Sequence, residues 1–125
     1  MTMKYYAKVI ALNEHIEEEV VLSFGEQIIC CFINEFKEQL YVGHTYLVEL
    51  GLMFLDEEKI EISKNKNFSL QKIDNTFSYE INGYLFENKI IMSNLTFEDD
   101  ILYNHSYFEN EYVKIHTDRI TVDFI

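Results

Sequence analysis

The sequence predicts an all-β fold: a small, partly open Greek-key barrel of the oligonucleotide/oligosaccharide-binding kind, with a β-sandwich as the alternative. Three observations point there. Apolar residues recur with a period of two rather than the helical 3.6. β-branched and aromatic residues gather in about seven to nine short runs with turn signals between them, and many short strands read as a barrel or sandwich. There is no proline and there are four glycines, so Asn, Asp and Ser must shape the turns. A sheet must manage its edges, and closure does so most completely.

The elements follow in order. Met3–Leu12, MKYYAKVIAL, opens as a strand, and NEHIEEE is an acidic connection. Glu19–Phe24 and Gln27–Ile33 are strand-like, separated by Gly25-Glu26, which suits either a hairpin turn or a bulge. The near-continuous apolar run QIICCFI predicts a strand covered on both faces. His44–Leu55 keeps Tyr46, Val48, Leu50, Leu52 and Phe54 on one parity through Gly51. Lys59–Ser63 alternates briefly, and a polar turn follows at residues 64–67. Phe77–Phe86 reads as a long strand with a bulge at Gly83 and a hairpin at Glu87-Asn88 leading into KIIMSNLTF. At most one short helix is expected, in Asn34–Leu40 or in Asp99–His105.

The closing stretch EYVKIHTDRITVDFI changes phase. Val113 and Ile115 sit at odd positions, whereas Ile120, Val122 and Phe124 sit at even ones. A one-residue shift moves every later side chain to the other face, so a bulge or sharp corner is expected at Thr117-Asp118. The competing reading makes His116 and Asp118 an acid/base pair, with Arg119, the sole arginine, as an anion clamp. That reading needs one straight strand, which the phase change opposes.

Composition narrows the function. The 125 residues suit one domain, 1–125, with 48% hydrophobic residues available for a core. The formal net charge is −12. Nonspecific binding to nucleic acid or anionic lipid rests on basic surface, which is scarce here, so neither partner is expected. No apolar run approaches the ~20 residues that span a bilayer as a helix, and the first residues lack a secretory pattern, so a cytoplasmic location is expected. Cys30 and Cys31 are neighbours, point to opposite faces of a strand and read as small buried thiols.

No catalytic, cofactor or metal site is expected. His15, Glu18 and Glu19 lack a second nearby histidine, and Glu98-Asp99-Asp100 lacks the spacing of a calcium loop. There is no nucleophile elbow and no Gly-rich phosphate loop. The segment YNHSYFENEY instead interleaves aromatics with acids. Aromatics supply buried area at an interface, and carboxylates orient a basic partner. Glu98, Asp99, Asp100, Tyr103, Tyr107, Phe108, Glu109 and Glu111 are therefore the expected partner-binding residues. The bland alternative has Tyr107 and Phe108 plugging one end of the barrel. Phe36 and Tyr41 are weaker candidates of the same kind.

The acidic stretches HIEEE and DEE, the loop YFENEY and the chain's size resemble the small acidic immunity proteins that bacteria make against toxins. TYLVEL, SYEINGYLF and YVKIHTDRITVDFI also resemble small uncharacterised bacterial proteins of barrel type. The resemblance implies a non-enzymatic protein in a one-to-one complex that covers a toxin's basic active site, and it assigns no individual residue. Two other readings stand beside it: a barrel binding a small molecule or an oligonucleotide, and a homo-oligomer, such as a homodimer, formed through exposed strand edges.

Overall fold

Alternation in the sequence becomes alternation of burial in the computed structural model, which describes residues 3–35 and 39–125. Eleven strands occur among the described residues: β1 (Lys4–Leu12), β2 (Glu19–Ser23), β3 (Ile28–Ile33), β4 (Thr45–Met53), β5 (Lys59–Ile62), β6 (Ser69–Lys72), β7 (Tyr79–Phe86), β8 (Lys89–Ile91), β9 (Thr96–Glu98), β10 (Tyr112–Thr117) and β11 (Arg119–Phe124). One 3₁₀ segment, Asp100–Phe108, joins β9 to β10. It covers the second of the two places where a helix was expected. The first, Asn34–Leu40, lies partly outside the described residues, as does Phe36.

The chain divides into two compact units. The first runs to Leu50 and adds Ile120–Ile125; the second is Gly51–Arg119. The strands β1-β2-β3-β11-β4 form a barrel, as the alternation predicted, and it is closed rather than partly open. β1 pairs antiparallel with β2 and with β4, and β2 antiparallel with β3, whereas β3 and β11 run parallel with Thr121 opposite Phe32. Val9, Leu22, Ile29, Cys31, Val48 and Val122 are fully buried. Gly25 turns the chain between β2 and β3 with φ +89°, so it marks a hairpin rather than a bulge. The irregularity in this unit lies in β1, where the register shifts between Val9 and Ala11.

In the second unit the sheet order is β5-β10-β7-β8-β9, with β6 also paired to β7. Ile81, Leu85, Ile90, Phe97, Leu102, Val113 and Ile115 are fully buried. The expected bulge at Gly83 is absent. Tyr84, Gly83, Asn82 and Ile81 pair in unbroken register with Tyr112, Val113, Lys114 and Ile115. Gly83 is needed for closeness: a Cβ there would lie 2.6 Å from Ile90 Cγ2 and 3.0 Å from Ile91 O. The turn expected at Glu87-Asn88 is present, with Glu87 at φ 55°. Strand β6, sequence SLQK, was not foreseen, because its one apolar residue gives no alternation to read.

The phase change in the last stretch is a corner. β10 ends at Thr117, Asp118 is a bend, and β11 begins at Arg119. Val113 and Ile115 are buried before it, and Ile120, Val122 and Phe124 after it. The Thr117 hydroxyl is fully buried, 3.0 Å from Met53 O and 2.8 Å from Arg119 O. Asp118 N donates to the same Met53 O at 3.0 Å, and the Asp118 carboxylate accepts from Leu55 N at 2.7 Å. Arg119 lies over Phe77, 6.0 Å from the ring centroid, with Nη1 3.7 Å from Met53 Sδ. Thr117 and Asp118 are thus committed to fixing backbone.

Candidate functional site

The 3₁₀ segment is built by its caps. Asp99 is extended and its side chain accepts from Ile101 N at 3.0 Å, satisfying one of the donors that a helix start leaves unpaired. Glu109 closes the other end through its backbone N–H to Ser106 O, and its Oε1 accepts from Glu87 N at 3.3 Å. His105, at φ −116°, kinks the segment in the middle. Leu102 anchors it in the core, which leaves Tyr103 51% and Tyr107 71% exposed.

Of the eight residues singled out from the sequence, Asp99 and Glu109 therefore serve as caps. Asp100 is exposed and accepts from Asn88 Nδ2 at 3.1 Å. Glu111 is exposed and Phe108 half-buried, with its ring 4.3 Å from that of Tyr107. Glu98 is half-buried on β9, and its Oε1 is buried without a hydrogen-bond partner among the described residues.

Tyr107 stands at the rim of a groove of about 620 Å³, lined by Glu58, Lys59, Ile60, Glu61, Glu80, His105, Tyr107, Lys114 and His116. The sheet register explains much of this set. Lys59, His116 and Glu80 form one cross-strand row, and Glu61, Lys114 and Asn82 form the next. Lys114 Nζ lies 3.2 Å from Glu61 Oε1. Among the described residues no hydrogen bond or ion pair engages the side chains of Glu80 and His116.

A hydrogen-bonded chain forms part of the groove's lining. His105 Nε2 lies 3.0 Å from Glu58 Oε1, and His105 Nδ1 lies 3.2 Å from the Tyr107 hydroxyl. A carboxylate can only accept, so Nε2–H is the donor to Glu58, and Nδ1 accepts from the Tyr107 hydroxyl when the ring holds no second proton. The Glu58 carboxyl is held below its ordinary value by a hydrogen bond from its own backbone N–H, then by the hydrogen bond and charge of His105, against the opposing effect of burial. Three carboxylates against two ammonium groups leave the groove negative.

Among the described residues, no cluster of three or more His, Cys, Asp or Glu side chains is arranged to hold a metal ion. Cys30 and Cys31 are both buried. Burial, and secondarily Cys30, pushes the Cys31 thiol far above its ordinary value, which removes the thiolate needed for nucleophilic chemistry. Among the described residues no helix is long and apolar enough to cross a membrane.

Sequence reasoning missed Glu58, Lys59, Glu61, Glu80 and Lys114. For Glu80 and Lys114 parity was a usable signal, because they alternate with buried Ile81, Val113 and Ile115, and Lys59 and Glu61 alternate with Ile60 and Ile62 on β5. The pairing of Glu58 with His105 joins residues 47 apart in sequence and leaves no local trace.

Fold and site together define a β-rich protein that carries a closed five-stranded barrel and a polar, carboxylate-lined groove. The chain belongs to the family described as Uncharacterised conserved protein UCP019853, whose model matches residues 3–125. No curated protein and no solved structure matches it.

Proposed function

We propose that the chain is a non-enzymatic, acidic protein-binding module, in its concrete form an immunity-type inhibitor that covers the basic active site of a toxin. The observation that carries this reading is the presentation of Tyr103 and Tyr107 on the 3₁₀ segment. They are exposed while the same segment is anchored by Leu102, and carboxylates flank them at Asp100, Glu109 and Glu111. Exposed rigid aromatics are the commonest energetic anchors of interfaces. A net charge of −12 steers encounter with a cationic partner and speaks against nucleic acid.

The test asks first whether a neighbouring gene encodes a toxin-like domain, and takes that product as the partner to be assayed. The association rate falls steeply between low and physiological salt if the acidic surface steers encounter. Tyr107→Ala weakens the complex by about 2 kcal/mol, roughly thirtyfold in Kd, if Tyr107 is an anchor. An association rate indifferent to ionic strength overturns the reading.

A further inference from the structure

We propose that the outer edge of β5 is a strand-addition site, taking an extended partner segment in which basic and apolar residues alternate. This rests on the protein-binding reading above and specifies how the partner is held.

The hydrogen-bond phase of β5 is fixed by its neighbour. Ser63 N donates to Tyr112 O at 2.8 Å, which makes 63 and 112 a hydrogen-bonded pair of the antiparallel ladder. Such pairs alternate with non-bonded ones. Glu61 with Lys114 and Lys59 with His116 are then the next bonded pairs. The backbone groups of Ile60 and Ile62 point away from β10. The phase agrees on the other side of β10, where Leu85 N donates to Glu111 O, placing β10's odd residues in the bonded pairs with β7. Strand β5 ends the sheet order, and no backbone hydrogen bond reaches Ile60 or Ile62 from its outer side among the described residues. Unpaired edge groups are a template for another strand.

The groove lies along this edge. Four consecutive residues, Glu58 to Glu61, line it together with His105 and Tyr107. One face of a strand offers only alternate residues, so the consecutive Lys59, Ile60 and Glu61 of β5 place the groove beside the strand as well as over its polar face. An added strand inherits the two faces of β5. On one side its residues meet Lys59 and Glu61 and, beyond them, Glu80 and His116, where the carboxylate excess and the unengaged Glu80 select lysine or arginine. On the other side they meet Ile60 and Ile62, the latter 52% exposed, which select apolar residues. Tyr107 at the rim makes this edge continuous with the proposed docking surface.

The probe is a capped peptide of alternating lysine and valine, followed by amide hydrogen exchange. At about millimolar peptide, exchange at Ile60 and Ile62 slows by about tenfold or more, because their N–H groups gain acceptors. The same peptide N-methylated at alternate residues keeps its charge but cannot pair, and gives no slowing. Ile62→Pro removes an edge donor without removing a ladder bond, a placement that strands tolerate, and it abolishes the response. Unchanged exchange at Ile60 and Ile62, or an equal response to the N-methylated peptide, overturns the proposal. So does protection that grows with protein concentration in the absence of peptide, since a second copy then occupies the edge. A salt-steered toxin complex that leaves Ile60 and Ile62 unprotected removes this proposal alone. Edge protection by the peptide, with no salt dependence in the toxin complex, removes the wider reading alone.

Discussion

Gly83→Ala tests whether close approach, rather than backbone freedom, requires glycine in β7. The added Cβ would meet Ile90 Cγ2 at 2.6 Å and Ile91 O at 3.0 Å. Carbon atoms prefer about 3.5–4.0 Å, so roughly an ångström of movement is required. Ile90 is fully buried and β-branched, with a stiff χ1, and Ile91 O is held by the sheet, so neither yields readily. Overpacking of this kind costs about 1–3 kcal/mol. Replacing glycine returns about 0.4–1 kcal/mol by restricting the unfolded chain. With both neighbours rigid, a net loss of about 2 kcal/mol is expected. At about 2.1 cal/mol/K per residue, the 125 residues give a melting entropy of about 260 cal/mol/K, so Tm falls by about 8 °C for a single transition of the whole chain. Calorimetry reads that shift. Ile90→Ala supplies the control, because it deletes the Cγ2 that the new methyl strikes. In that background Gly83→Ala costs at least about 1 kcal/mol less, a coupling that a double-mutant cycle resolves. A Gly83→Ala protein that melts with the wild type, or a cost unchanged by Ile90→Ala, refutes the steric argument.

Thr117→Val keeps the side-chain volume but removes the buried hydroxyl beside Met53 O and Arg119 O; a loss of about 1–3 kcal/mol is expected in urea unfolding. Glu58 has a folded pKa below its ordinary 4.5, so its contribution to stability is present above that value and is lost as pH falls through the folded one. The urea midpoint of Glu58→Gln is therefore below the wild type at neutral pH, and the gap closes in acid; a gap that widens in acid contradicts the assigned hydrogen bonds. Cys30 and Cys31, both buried, are silent to a thiol reagent in the native protein and react in urea, which absorbance of the released thiolate reports.

Much of the fold was legible because half-buried strands write their geometry as alternation. The phase change around Thr117-Asp118 was read from parity alone, and the corner stands at Asp118 with Ile115 and Ile120 buried on either side. Gly83 was misread, because an Asn-Gly pair signals a turn or bulge locally while the reason for this glycine is Ile90 on the next strand. Strand β6 was illegible: Leu70 alone faces Ile81, and pairing with β7 rather than sequence pattern makes it a strand. At the candidate site the exposed Tyr103 and Tyr107 could be named from composition. The groove could not, since it depends on the mutual register of β5, β10 and β7 and on a histidine that meets Glu58 from 47 residues away in sequence.

The clasp at Met53 bears on the order of folding. The barrel's last strand, β11, arrives only after the chain has run through residues 51–119, a long loop to close. That loop is itself a contiguous unit able to gather its own contacts first. When Thr117 and Asp118 bind Met53 O, the two ends of the loop are already together, and β4 and β11, neighbours in the barrel order, leave it side by side. The entropy of closure is then borne by the inserted unit, and the barrel zips from a prepared start. Mutations at this corner should slow barrel formation more than equally destabilising mutations at the far end of β4.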